Sequence, residues 1–247
     1  MPDTRSHRGP HPEDDSLFDA EAMPDLRAAT RDLAWLRTRG YSDNAALKLV
    51  GDRYQLTRRQ RNAIVRSAAS DQDVERRGAA QRPVTAVRDQ TVHIDGFNIL
   101  IALESALGGA YLFVGRDGCY RDIGTLHGTY RLVAETEPAI QLIGEILDAL
   151  GARAVTWHLD AHVSNTGRLR TRLVEHAERG GWPWTVRIDD APDQQLAQAE
   201  SGLVVTHDSA ILDHAAGWVN LVGFVVDRVV PDANVRVLSP ARSNLES

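Results

Sequence analysis

The sequence predicts an α/β fold, with a mostly parallel sheet flanked by helices, preceded by a small all-α domain. Beyond residue 90, short apolar runs of strand character alternate with helix-like runs, the pattern of strands joined by helical crossovers. Residues 24–82 instead carry helical periodicity broken by tight turns. With 247 residues, 43% of them hydrophobic, there is material for a substantial core.

The elements follow in order. Residues 1–23 are rich in Pro, His, Asp and Glu and hold few apolar side chains. They predict a disordered acidic leader, because they bury too little surface to offset the entropy of ordering. From Asp25, Leu26, Leu33 and Leu36 recur at helical spacing, and Gly40 supplies a left-handed stop. Ser42 is placed to cap a second helix carrying Ala46, Leu47 and Val50, and Thr57 with Gln60 forms a capping-box pattern for a third. A charged connector, "SDQDVERRGAAQRPVTAVRDQ", then leads into an α/β domain expected over 90–230, with 231–247 as a tail. In that domain Val92 to Ile94 predicts a strand and Asn98 to Leu107 a helix. Tyr111 to Val114 is a second extended run, and Glu137 to Leu150 is an amphipathic helix stopped by Gly151. "RAVTWHL" and "WTVRI" are strands around a helix capped by Ser164 and ended by Gly180 and Gly181. A helix from Pro192, the strand "LVVT", a helix through Ile211 and the apolar run "WVNLVGFVV" complete the pattern.

Composition excludes several classes of function. Cys119 is the one cysteine, so there is neither an intrachain disulfide nor a cysteine-based zinc cluster. No apolar run nears the roughly 20 residues that span a bilayer, and the N-terminal sequence has no hydrophobic signal segment. The expectation is a soluble cytoplasmic protein without a membrane partner. The net charge of -6 conceals three segments: residues 1–25 carry -5, residues 26–90 carry +7, and residues 91–247 carry -8. An acidic leader, a basic helical module and an acidic α/β module are joined in one chain.

Three strands end on an aspartate: "TVHID" on Asp95, "VTWHLD" on Asp160 and "LVVTHD" on Asp208. A parallel sheet lines up the carboxyl ends of its strands on one edge, where such folds bind ligands. Asp193, in "APDQQLAQAE", starts the helix before the third of these strands and leans toward that edge. Each aspartate alone is equally explained as a helix cap. Several at one edge raise each other's pKa unless a cation intervenes, and clustered carboxylates suit a hard divalent ion.

The segments "VHIDGFNIL", "VTWHLDAHVSNTG", "APDQQLAQAE" and "LVVTHDSAIL" resemble the acidic motifs of the PIN-like nuclease superfamily, most closely its NYN type. The whole chain resembles a prokaryotic family, defined by sequence, that joins a small helical domain to a PIN-like domain. "RGYSDNAALKLVGDRYQLTRRQR" and "GRDGCYRDIGTLHGTYR" carry that likeness. The resemblance implies a metal-dependent nuclease, acting on RNA by the superfamily's tendency, in which Asp95, Asp160, Asp193 and Asp208 hold magnesium or manganese. Asn98 would position a carboxylate or a phosphate. One departure stands out: Gln194 and Gln195 follow Asp193 where related nucleases often have a further acid. The alternative is a noncatalytic nucleic-acid-binding or regulatory protein with a degenerate PIN-like domain. A phosphatase or nucleotide enzyme is weaker, since no GxxxxGK[ST] run is present.

Other residues have two readings each. In "GRDGCYRDIGTLHGTYR", Arg121, His127 or Arg131 reach a substrate phosphate, or the segment is a surface excursion tied by internal Arg–Asp pairs. Ser164, Asn165 and above all Arg168, in a helix's first turn, are candidates for a phosphate contact. Glu104 belongs on a solvated helix face, and His158 and His207 are structural. Arg53, Arg58, Arg59, Arg61 and Arg66 form a basic cluster that either binds nucleic acid or docks on the acidic module.

Overall fold

The computed structural model describes residues 7–124, 129–199 and 201–239. Helices come first: α1 (Asp14–Leu17), α2 (Met23–Thr38), α3 (Asp43–Arg53), α4 (Arg58–Ser67) and α5 (Asp71–Ala80). Gly40 takes φ +78° after α2, a conformation costly for residues with a Cβ. At α4 both capping-box bonds form between Thr57 and Gln60. The stretch expected to be a connector folds as α5, because Ser70 and Asp73 cap it reciprocally and its Arg77 is buried.

The α/β part continues with β1 (Thr91–Asp95), α6 (Gly96–Leu107), β2 (Leu112–Val114), β3 (Tyr120–Arg121) and α7 (Thr136–Ala149). Then come β4 (Ala154–Asp160), α8 (Thr166–Gly180), β5 (Trp184–Asp189), α9 (Pro192–Ala197), β6 (Leu203–Val205), α10 (Ser209–Leu212), α11 (Leu221–Val229) and β7 (Val235–Val237). The central sheet has the order β5-β4-β1-β6 and every pairing in it is parallel. Strand order reverses at β1, so the crevice between β1 and β6 is the switch point where such sheets bind ligands. Alternation sorts the faces. Val92, Ile94, Val155, Trp157 and Leu159 join the core built with α6, α7, α8 and α11. On the other face, α9 lies against β1 and β4, and Val204 packs with Leu196 and Ile211.

A second sheet, β3-β2-β7, pairs β2 antiparallel with β3 and parallel with β7. It belongs to the core of the helical region: Phe113, Ile123 and Leu238 are buried with Leu26, Leu33 and Ile64. Residues 235–238 are therefore structural, which corrects the reading of everything after 230 as a tail.

The leader is corrected as well. From His7 onward it is built into the fold, because its few apolar and charged groups find distant partners that composition cannot reveal. Phe18 is fully buried, with ring centroids 5.7 Å from Tyr111 and 4.7 Å from Phe113. Asp14 is buried and receives Arg59 Nε and Nη2 at 2.7 and 2.9 Å. Arg8 reaches Glu104 with Nε at 3.0 Å and Nη2 at 2.7 Å. At α8 the cap shifts by one: Asn165, at φ +65°, is the N-cap, and the exposed Ser164 instead bridges to Thr129.

Candidate functional site

Asp95 stands at the end of β1 in the extended conformation of a helix N-cap, yet its side chain accepts no backbone N–H of α6. The capping explanation therefore fails for this residue. Its carboxylate is held from the side: Asn98 Nδ2 and Thr206 Oγ1 both donate to Oδ2, each at 2.7 Å. Thr206 also accepts the Asp208 N–H at 3.0 Å, so one hydroxyl couples the ends of β1 and β6 across the crevice. Asp208 does cap α10, through Oδ1 to the Ala210 N–H at 2.8 Å. Asp160 Oδ1 accepts the His162 N–H at 2.7 Å. Asp193 lies exposed in the first turn of α9 and caps nothing.

The four carboxylates feel one another. Burial pushes Asp95 up to about 7, and the charges of Asp208 and Asp193 add to this, while the bonds from Thr206 and Asn98 oppose it. Burial also raises Asp193, with Asp208 and Asp160 contributing. Among the described residues none of the four is ion-paired with a lysine or arginine. The arginines nearby answer other acids: Arg121 and Arg77 hold Asp117, Arg77 also holds Asp213, and Arg187 faces Asp189. The Arg121 charge also reaches Asp208 without pairing with it, and oxygen donors without an ion-pair partner among the described residues, set around a buried carboxylate, fit a hard divalent cation. Among the described residues, no three His, Cys, Asp or Glu side chains are already gathered at a common point, so a cation would have to draw these groups together.

Asp189 ends β5 on this edge, in register with Asp160, whereas β6 stops at Val205 and Asp208 follows it as the cap of α10. Asp189 is buried and accepts from His158 Nδ1 at 3.0 Å, while His158 Nε2 meets His93 Nδ1 at 3.2 Å. Burial lowers the pKa of both histidines. The sequence carries the signal, an acid directly after the apolar run "WTVRI", and a strand read as ending at Ile188 stops one residue short of it. Thr206, two residues before Asp208, has no such signal, because a threonine in a strand is ordinary.

The remaining candidates divide. Arg168 and Arg58 are exposed, and their side chains make no hydrogen bond or ion pair among the described residues. Asn165 gives its amide to the Tyr130 carbonyl at 2.7 Å, so it fixes the chain and is not free for a phosphate. Arg59 is held by Asp14, Arg61 by Asp52 at 2.9 Å, and Arg53 lies 3.9 Å from Asp32, which leaves Arg58 and Arg66 as the members of the basic cluster without a carboxylate partner among the described residues. Arg121 is corrected outright: it is 3% exposed, chelates Asp117 at 2.8 and 2.7 Å, and bonds the His207 carbonyl at 2.7 Å. It braces the edge and reaches no solvent-borne phosphate. His127 lies outside the described residues. Glu104 is fully buried, bonded to Arg8, Thr136 and Tyr130, which corrects its assignment to a solvated face. Cys119 is buried, and burial raises its thiol pKa, so it is no nucleophile. Among the described residues no helix is long and apolar enough to cross a membrane.

The family described as Domain of unknown function (DUF5616) matches residues 84–224, and the one described as Protein of unknown function (DUF434) matches residues 25–79. The first match takes in the aspartate edge and the second takes in α2 to α5. The chain is also 31% identical, over 187 residues, to the protein named Uncharacterized protein MJ0935 of Methanocaldococcus jannaschii, covering 76% of this chain and 88% of that one. No solved structure matches it.

Proposed function

The chain belongs to the DUF5616 family, and from that premise we propose that its α/β part is a PIN-like nuclease domain of the NYN type, hydrolysing phosphodiester bonds in RNA with magnesium or manganese. The observation that carries the reading is Asp95: a buried carboxylate at the switch point, raised to about 7, with the charges of Asp208 and Asp193 adding to the rise. A divalent ion relieves that repulsion, and in such sites it supplies an activated water and neutralises charge on a leaving oxygen. Asp95, Asp160, Asp193 and Asp208 would hold it. Asn98 and Thr206 keep Asp95 aimed, and Arg168 is the open cation best placed, by its position in the first turn of α8, to meet substrate phosphate.

The noncatalytic alternative, a nucleic-acid-binding protein, has one observation in its favour: no three acids are gathered to a point among the described residues. The two readings separate in a cleavage assay on labelled single- and double-stranded RNA and DNA with magnesium or manganese. We expect metal-dependent cutting of RNA that Asp95→Asn reduces by roughly 100-fold or more, the scale lost when a group stabilising transition-state charge is removed. Retention of RNA by wild type without any cutting would move the assignment to the binding protein.

A further inference from the structure

The helical region and the carboxylate edge share one cleft of about 710 Å³. One wall is the turn after α2 with the end of α4, and the other is His207 and Asp208 after β6. Most charges along it already have partners. Arg37 gives Nε and Nη2 to Asp43 at 2.9 and 3.1 Å, and Arg77 and Arg121 are taken up by Asp213 and Asp117.

Three groups are left over. Tyr41 is 57% exposed; its N–H is fixed to the Leu36 carbonyl at 3.2 Å, while its ring and hydroxyl have no partner among the described residues. Arg66 has no carboxylate partner among the described residues and touches only the Gly124 carbonyl, at 3.4 Å. His207, buried, bonds the Asn98 carbonyl through Nε2 at 2.9 Å and leaves Nδ1 unpartnered among the described residues.

An aromatic ring on a fixed backbone and an arginine without a carboxylate partner among the described residues, lining one cleft, are the combination that holds single strands: a stacking platform for a base and a cation for the phosphate. The size agrees. Sites that enclose small ligands run to roughly 300–1,000 Å³, and this cleft lies in that range, which admits nucleotide units of one strand. Continuity links the two regions, because Tyr41, Arg66 and Asp208 line the same cleft.

We propose that this cleft is a nucleotide-binding subsite in which Tyr41 stacks on a base and Arg66 meets the adjoining phosphate of a single polynucleotide strand, delivered by the helical region to the carboxylate edge. The subsite rests on the nuclease reading only for what happens to the strand once it arrives.

Binding is therefore read without cleavage, by fluorescence anisotropy of labelled single-stranded RNA, single-stranded DNA and RNA duplex, with EDTA and again with calcium in place of magnesium. The full chain is compared with Tyr41→Ala, Tyr41→Trp, Arg66→Gln and Trp35→Ala. Trp35 is 52% exposed on α2 with the Arg39 guanidinium 3.6 Å from its ring centre, but it does not line the cleft. Tyr41→Ala should weaken single-strand binding roughly 5- to 100-fold, as loss of one stacked base does, while Tyr41→Trp retains it. Arg66→Gln should weaken it and flatten its salt dependence. Comparing RNA with DNA identifies which strand is preferred. Three results would overturn the subsite: no single-strand binding in either buffer, equal binding of duplex, or loss of binding in Trp35→Ala with Tyr41→Ala unaffected. If Tyr41→Ala abolishes binding and no metal yields cleavage, the subsite stands and the nuclease reading falls. If cleavage occurs and Tyr41→Ala binds like wild type, the reverse holds.

Discussion

At the scale of a residue, Asp95 sets the electrostatic character of the site. Its carboxyl has a folded-state pKa of about 7 against an ordinary 3.8, so the metal-free native state holds its proton more tightly than the unfolded chain does. Its contribution to stability is then fully present below pH 4 and is lost as pH rises through 7. The lost amount reaches about 4 kcal/mol, at roughly 1.4 kcal/mol for each tenfold difference in proton affinity between the two states. In chelator, Asp95→Asn should therefore melt higher than wild type at pH 8, by about 10 °C, with the gap closing toward pH 4. Manganese should raise the wild-type melting temperature more at pH 8 than at pH 6, since the ion binds the ionised form. Equal melting of the two proteins at pH 8 in chelator would show that the Asp95 charge is compensated after all.

At the scale of an element, α6 starts where β1 stops, and Gly96 is what lets it do so. A Cβ there would lie 2.5 Å from Leu159 Cδ2 and 3.0 Å from the His158 carbonyl. Backbone cannot give way as a side-chain tip can, so Gly96→Ala should cost about 1–3 kcal/mol, read by thermal melting. It should also lower metal-dependent cleavage by more than the fraction unfolded explains, because the same shift moves Asp95 and Asn98. A variant that melts and cleaves like wild type would rule out this tight docking of α6 on β4. Elements of this kind are legible in the sequence because their signals are local: the Thr57 and Gln60 capping box, the period of α7, the strands ending on Asp95 and Asp160. What is illegible depends on partners far away. Glu104 looks like any surface glutamate until Arg8, 96 residues earlier, is set against it. The loop arginine Arg121 reads as open until Asp117 and the His207 carbonyl close around it. The strand β7 is three residues long, too short for period-two alternation to register, and is defined only by its pairing with β2.

At the scale of the whole molecule, the N-terminal segment behaves as a strap. Arg8 neutralises buried Glu104, Asp14 engages Arg59, and Phe18 fills the space between Tyr111 and Phe113. Deleting residues 1–18 should therefore destabilise the protein by about 3–5 kcal/mol or more, the cost of leaving one buried charge unpaired, and lower the melting temperature by roughly 10 °C. Unchanged melting would mean that the segment is dispensable, as its composition alone suggests. The strap meets the other end of the described chain: Arg236 Nε donates to the Phe18 carbonyl at 2.9 Å, Arg27 Nε donates to the Val237 carbonyl at 3.0 Å, and Leu238 is buried with Phe18. During synthesis α2, α3 and α4 leave the ribosome well before residues 235–238 do. The first helices made must wait for β7 to seal their core, so a chain interrupted after α11 would present an open apolar face to chaperones and proteases.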